Sequence, residues 1–214
     1  MPYKIIFFDL DGTLIDPKIG ITKSVQYALN KFGIKEDTAN LLPFIGPPLN
    51  KSFQKYYGFS EEESMEAVMY YREYLLPKGI RESIIYPEIQ TLLEKLQKAN
   101  KELFVVTSKP TFIAEEVIKY HDLENFFAKI VGCKSDLSNA DKTSLIKEAM
   151  LLRPKENKKS FVMIGDREHD IIGAKNNAID SIGVTYGYGS IDELTAINPT
   201  HLAESIEDLA KYLL

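Results

Sequence analysis

Five short apolar runs, each with β-branched or aromatic residues, mark the chain at Tyr3–Phe8, Glu102–Thr107, Lys129–Gly132, Ser160–Gly165 and Ser181–Thr185. Runs of this length are too short for buried helices, and their composition favours strands. Amphipathic patterns alternate with them. Ile89, Leu92, Leu93 and Leu96 keep helical spacing within Glu88–Ala99. Ile113, Val117 and Ile118 mark a second helix, with Pro110 in its first turn. Leu145, Ile146, Ala149 and Met150 mark a third, and Ile206, Leu209 and Leu213 a last one. Strands alternating with helices predict an α/β fold, a Rossmann-like doubly wound parallel sheet covered on both faces.

The stretch 17–84 breaks that rhythm. Ile21, Val25, Ala28, Leu29 and Phe32 share one helical face, and Ser60-Glu61-Glu62-Glu63 is a capping box opening a helix through Leu76. Between them runs Pro43-Phe44-Ile45-Gly46-Pro47-Pro48, read as a proline-stiffened loop. The expected organisation is a core of 1–16 and 85–214, with an all-helical cap of 17–84 inserted after the first strand.

The bulk properties limit what such a chain can do. Its 214 residues suffice for one α/β domain plus a small insertion. A formal net charge of −5 argues against a broad surface for nucleic acid or anionic membrane, but leaves room for a small anionic ligand. The one cysteine, Cys133, excludes an internal disulfide, and its apolar context predicts a buried thiol. The N-terminal apolar run is too short for a signal peptide, and no segment reaches the ~20 apolar residues of a membrane span. A cytoplasmic protein with no membrane or nucleic-acid partner is expected.

In a parallel sheet the C-terminal strand ends share one edge, where ligands bind. Those ends carry Asp9 and Asp11; Thr107, Ser108 and Lys109; and Gly165 and Asp166, with Asp170 one turn later. Lys142 precedes a helix after the third strand. Each has a plain reading alone: an Asp-Gly turn, a helix cap, a solvated lysine. Asp9-Leu10-Asp11-Gly12 is not a calcium loop, since glycine falls fourth rather than sixth. No Gly-x-x-x-x-Gly-Lys-Ser/Thr is present, and Gly187-Tyr188-Gly189 lacks the third glycine of a dinucleotide fingerprint. Ser190-x-x-Glu193 reads as a capping box.

Taken together these residues resemble the haloacid dehalogenase superfamily of phosphohydrolases. The likeness rests on Asp9-Leu10-Asp11-Gly12-Thr13 after an apolar strand, Thr107 ending the next, Lys142 before a helix, and Gly165-Asp166 with Asp170 four residues on. The insertion after the first motif resembles the C1 cap. Gly46-Pro47-Pro48-Leu49 and Gly165-Asp166-Arg167-Glu168-His169-Asp170 are similar to the phosphoglycolate phosphatase-like and 5′-nucleotidase-like branch.

The resemblance implies a hydrolase of small phosphate monoesters, phosphoglycolate phosphatase-like. Alternatives are a nucleoside 5′-monophosphatase, a phosphosugar mutase or a non-catalytic interaction protein. It implies Asp9 as nucleophile, Asp11 as acid and base, and Lys142 as the phosphate-site lysine, with Lys134 a rival. Mg²⁺ would be held by Asp9, the Asp11 carbonyl and Asp166, with Asp170 supporting. Thr107, Ser108 and Lys109 would bind phosphate, and Phe44, Ile45 and Gly46 of the cap would read the leaving group. Arg72, Lys78 and Arg81, or Tyr56, Tyr57 and Tyr70, are further cap candidates. The partner would be a small phosphate ester and the assembly a monomer or weak dimer.

Overall fold

A computed structural model describes residues 3–214. The chain divides into two compact units, one running to Asp16 and resuming at Ile85–Leu214, the other Pro17–Ile84.

The first unit is built on a six-stranded sheet of order β5-β4-β1-β6-β7-β8. Its strands are β1 (Ile5–Phe8), β4 (Glu102–Pro110), β5 (Lys129–Cys133), β6 (Phe161–Gly165), β7 (Asp180–Val184) and β8 (His201–Ala203). Every pairing is parallel. The short strands β2 (Ile15–Asp16) and β3 (Ile84–Ile85) lie where the chain leaves and rejoins this unit. There the Tyr86 N–H donates to the Leu14 carbonyl at 3.1 Å.

The sequence of β1, IIFF, is buried at every position, as a strand covered on both faces requires. Phe7 lies opposite Phe104 on one side and Met163 on the other. Its ring meets Phe104 edge-on, centroids 5.5 Å apart. This face is closed by Leu145, Ile146 and Ala149 of α6 (Lys142–Leu151) and Ala174 of α7 (Glu168–Asn177). The remaining helices are α4 (Ile89–Lys98), α5 (Thr111–Tyr120), α8 (Ile191–Ile197) and α9 (Ile206–Leu213). After β5 the chain crosses to the other side of β1 to form β6. The crevice beside β1 is therefore the switch point where a doubly wound sheet binds ligands.

The second unit holds α1 (Lys18–Lys31), α2 (Leu49–Tyr57) and α3 (Glu61–Leu75). The expected capping box is present: Ser60 accepts from the Glu63 N–H, and Glu63 accepts from the Ser60 N–H. Aromatic rings hold the unit together. Phe44 packs on Phe53, Tyr56 and Tyr57, and Phe59 on Phe32 and Phe53.

Several expectations are corrected. The strand expected at Glu102–Thr107 runs on to Pro110, so Pro110 sits at the N-cap of α5 rather than inside its first turn. Strand β8 is too short and too polar at its start to stand out. The stretch read as a proline loop ends a 3₁₀ helix, Thr38–Phe44, and Pro48 caps α2. Ser190 caps α8 as expected, but the Glu193 carboxylate does not return to it. It accepts from Glu168 N–H and Arg167 Nε, both at 2.9 Å.

Candidate active site

Strand β1 delivers Asp9 to the sheet edge, its N–H still in the ladder on the Ile164 carbonyl. The chain then turns sharply. Leu14 N–H bonds back to the Leu10 carbonyl, and Gly12 takes a left-handed φ of +81°. A side chain at Gly12 would also collide, since a Cβ there would lie 2.1 Å from Asp166 Oδ2. The turn thus needs glycine for both its φ and its closeness to β6.

Four buried carboxylates and two lysines meet here. Lys142 Nζ lies 3.0 Å from Asp9 Oδ1, 2.8 Å from Asp170 Oδ1 and 3.0 Å from the Val106 carbonyl. Lys109 Nζ lies 2.7 Å from Asp11 Oδ2. The Leu10 N–H also donates to Asp9 Oδ1 at 2.8 Å. Asp11 Oδ1 is buried and has no hydrogen-bond partner among the described residues. Asp166 Oδ2 accepts from the Tyr188 N–H at 2.8 Å, and its Oδ1 more weakly from Thr13 Oγ1 at 3.4 Å.

Burial and mutual repulsion shift these groups. Burial, with the charges of Asp170 and Asp9 adding to it, pushes the Asp166 carboxyl up to about 8. Burial also pushes Asp170 up to about 6, with Lys142 pulling it back. Asp11 is raised by burial against the pull of Lys109. For Lys142, burial opposes its charge, but the carboxylates of Asp170 and Asp9 outweigh this and hold it above its ordinary value.

Asp9, Asp166 and Asp170 each offer one carboxylate oxygen, all within 4.8 Å of one another. Lys142, which contacts Asp9 and Asp170, brings one positive charge against three carboxylates. An all-oxygen, anionic, buried group of this kind fits a hard divalent cation. The Asp11 side chain is turned instead to Lys109.

The remaining expected residues are placed as follows. Thr107 is buried at the end of the regular β4 ladder, and its Oγ1 accepts from the Lys109 N–H at 3.3 Å. Ser108 Oγ donates to the Ala140 carbonyl at 2.9 Å. The rival lysine, Lys134, is exposed. In the second unit Phe44 and Ile45 are buried, the Phe44 ring against Phe53, Tyr56 and Tyr57. Arg81 donates to the Pro77 carbonyl, Lys78 lies over the Tyr74 ring, and Tyr57 donates to Glu36. Sequence reasoning assigned no role to Gly187, Tyr188 and Gly189, which press on Asp166, or to Tyr186, which bonds the Thr13 carbonyl. The two glycines were the available signal, but they match no phosphate motif.

The haloacid dehalogenase-like hydrolase family model matches residues 6–184. A 5′-nucleotidase of Pseudomonas aeruginosa is 43% identical over 99% of this chain and 96% of its own length. The tyrosine-protein kinase PtkA of Mycobacterium tuberculosis is 34% identical over 98% of this chain and 72% of its own. A phosphoglycolate phosphatase of Vibrio parahaemolyticus is 28% identical over 96% and 94%. A predicted phosphatase from Clostridium acetobutylicum superposes with a TM-score of 0.96 at 42% identity, over 100% of this chain and 99% of that one.

Proposed function

The chain belongs to the haloacid dehalogenase-like hydrolases and is a phosphoric monoester hydrolase, and from that premise we propose a Mg²⁺-dependent phosphatase acting through a phosphorylated Asp9. The observation that carries this reading is the unequal environment of two neighbouring carboxylates. Asp9 takes both Leu10 N–H and Lys142 on Oδ1, while Asp11 is raised by burial and its Oδ1 has no partner among the described residues. Two carboxyl groups held so differently suit two different roles.

In the first step Asp9 Oδ2 attacks phosphorus and the bond to the leaving oxygen breaks. Asp11 Oδ1 carries the proton that the leaving oxygen takes up. In the second step Asp11 removes a proton from water, whose oxygen attacks the aspartyl phosphate and frees Asp9 and inorganic phosphate. Lys142, Thr107 and the Ser108 amide would hold the transferring phosphoryl oxygens. Lys109 orients Asp11. A Mg²⁺ held by Asp9, Asp166 and Asp170, with the Asp11 carbonyl, would offset the repulsion between the phosphate dianion and the carboxylates.

For substrate, the 43% identity to a 5′-nucleotidase favours a nucleoside 5′-monophosphate. Phosphoglycolate is the second reading, favoured by the lower likeness to the Vibrio enzyme. The inserted unit, Pro17–Ile84, is assigned to the C1 cap that reads the leaving group. Turnover of a panel of nucleotides, phosphoglycolate and sugar phosphates in Mg²⁺ ranks these readings. In the same assay Asp9→Asn should lose turnover by an amount worth about 5 kcal/mol or more in barrier, with the fold intact. Retention of more than a few per cent of activity by Asp9→Asn would exclude the covalent route.

A further inference from the structure

We propose that Tyr188 is a positioning residue for Asp166, its backbone N–H fixing the carboxylate in the cation site while its phenol is locked onto Asp16. The inference rests on the cation reading above and concerns how one ligand is held there.

Three like-charged carboxylates repel one another, so a cluster such as Asp9, Asp166 and Asp170 needs something to stop its members turning apart. Lys142 does this for Asp9 and Asp170. It makes no such contact with Asp166, whose close donors are the Tyr188 N–H at 2.8 Å and, more weakly, Thr13 Oγ1 at 3.4 Å. Asp166 is 1% exposed, so bulk solvent does not reach it.

The loop carrying Tyr188 is anchored on both sides of that amide. The Tyr188 phenol donates to Asp16 Oδ1. The Tyr186 phenol donates to the Thr13 carbonyl at 3.1 Å, and its ring meets Tyr86 edge-on at 5.2 Å. Both anchors lie on the segment that follows Asp9 and Asp11. The loop can approach only because it has no side chains between the tyrosines and beyond. A Cβ at Gly187 would lie 2.4 Å from Asp166 Cβ and 2.4 Å from the Gly12 carbonyl oxygen, and one at Gly189 would lie 1.9 Å from the Asp166 carbonyl oxygen. Glu193 completes the clamp on the residues just after Asp166, through Arg167 and Glu168. Outer-shell partners of this kind orient a metal-ligating carboxylate and tune its affinity.

The test is direct Mn²⁺ binding to the full chain, read from the paramagnetic signal of free Mn²⁺, with thermal melts alongside. Tyr188→Phe and Asp16→Ala should each raise the Mn²⁺ Kd about tenfold. The double variant should be no weaker than either single one, because both cut the same bond. Asp16→Asn should stay near wild type, since its amide oxygen still accepts from the phenol. If Tyr188→Phe fails to fold, Asp16→Ala and Asp16→Asn carry the comparison. Unchanged Kd in folded Tyr188→Phe and Asp16→Ala, with only a lower Tm, overturns the positioning role. Failure of the wild-type chain itself to bind Mn²⁺ overturns the cation reading, and this inference with it.

Discussion

Lys142 is closely surrounded: two carboxylates and a carbonyl take its ammonium, and it is 4% exposed. Removing it would leave Asp9 and Asp170 buried without their cation. Lys142→Ala should therefore cost about 3–5 kcal/mol of stability in metal-free protein, along with most of the activity. Lys134→Ala, at an exposed position, should be neutral in both assays. Urea melts and steady-state rates on the two variants decide between them.

Asp166 gives a second prediction at this scale. Its folded value of about 8 lies above the roughly 3.9 of an unfolded aspartate. Between those limits the folded state holds a proton that the unfolded state has released, so stability falls as pH rises. Asp170, raised to about 6, adds to the same slope. Metal-free protein should thus lose urea resistance from pH 5 to pH 8. Asp166→Asn should flatten much of that loss. Bound Mg²⁺ should flatten it too, and its apparent affinity should rise with pH because binding displaces the proton.

The elements differ in how legible they were. Strands β1, β4, β6 and β7 stood out because burial on both faces demands an apolar run, and such a run is visible in the letters alone. The acids at their ends were legible for the same reason: a parallel sheet gathers its strand ends whatever the details. What stayed hidden depends on register and backbone. β4 and β5 pair Thr107 with Gly132 and then Pro110 with Cys133, so Ser108 and Lys109 bulge out of the ladder. That bulge lets Lys109 reach Asp11, and no residue pattern announces it. The Tyr186–Gly189 loop acts on Asp166 through an amide, a group every residue type but proline carries. Proline spacing alone did not show that the Phe44 ring faces Phe53, Tyr56 and Tyr57. Phe44→Ala should destabilise the helical unit by about 3–5 kcal/mol. Its kcat/KM should fall alike for all esters, measured across the same substrate panel; loss confined to one ester would restore a recognition role.

At the scale of the whole molecule, the chain divides at Asp16 and Ile85, and the apolar cluster on the α6–α7 face of the sheet is drawn entirely from the first unit. Replacing residues 17–84 by a short Asn-Gly turn should therefore leave a core that melts cooperatively. That core should still hydrolyse acetyl phosphate in Mg²⁺, with little preference left among natural esters. A core that fails to fold would show that the division is geometric only. The pairing of β2 with β3 and the bond from the Tyr86 amide to the Leu14 carbonyl set the outgoing and returning strands side by side, which makes such surgery feasible. A join this narrow has a historical consequence. If the inserted unit reads the leaving group as proposed, a lineage could exchange one contiguous stretch of gene and take up new esters, while the acids and lysines of the core stay as they are.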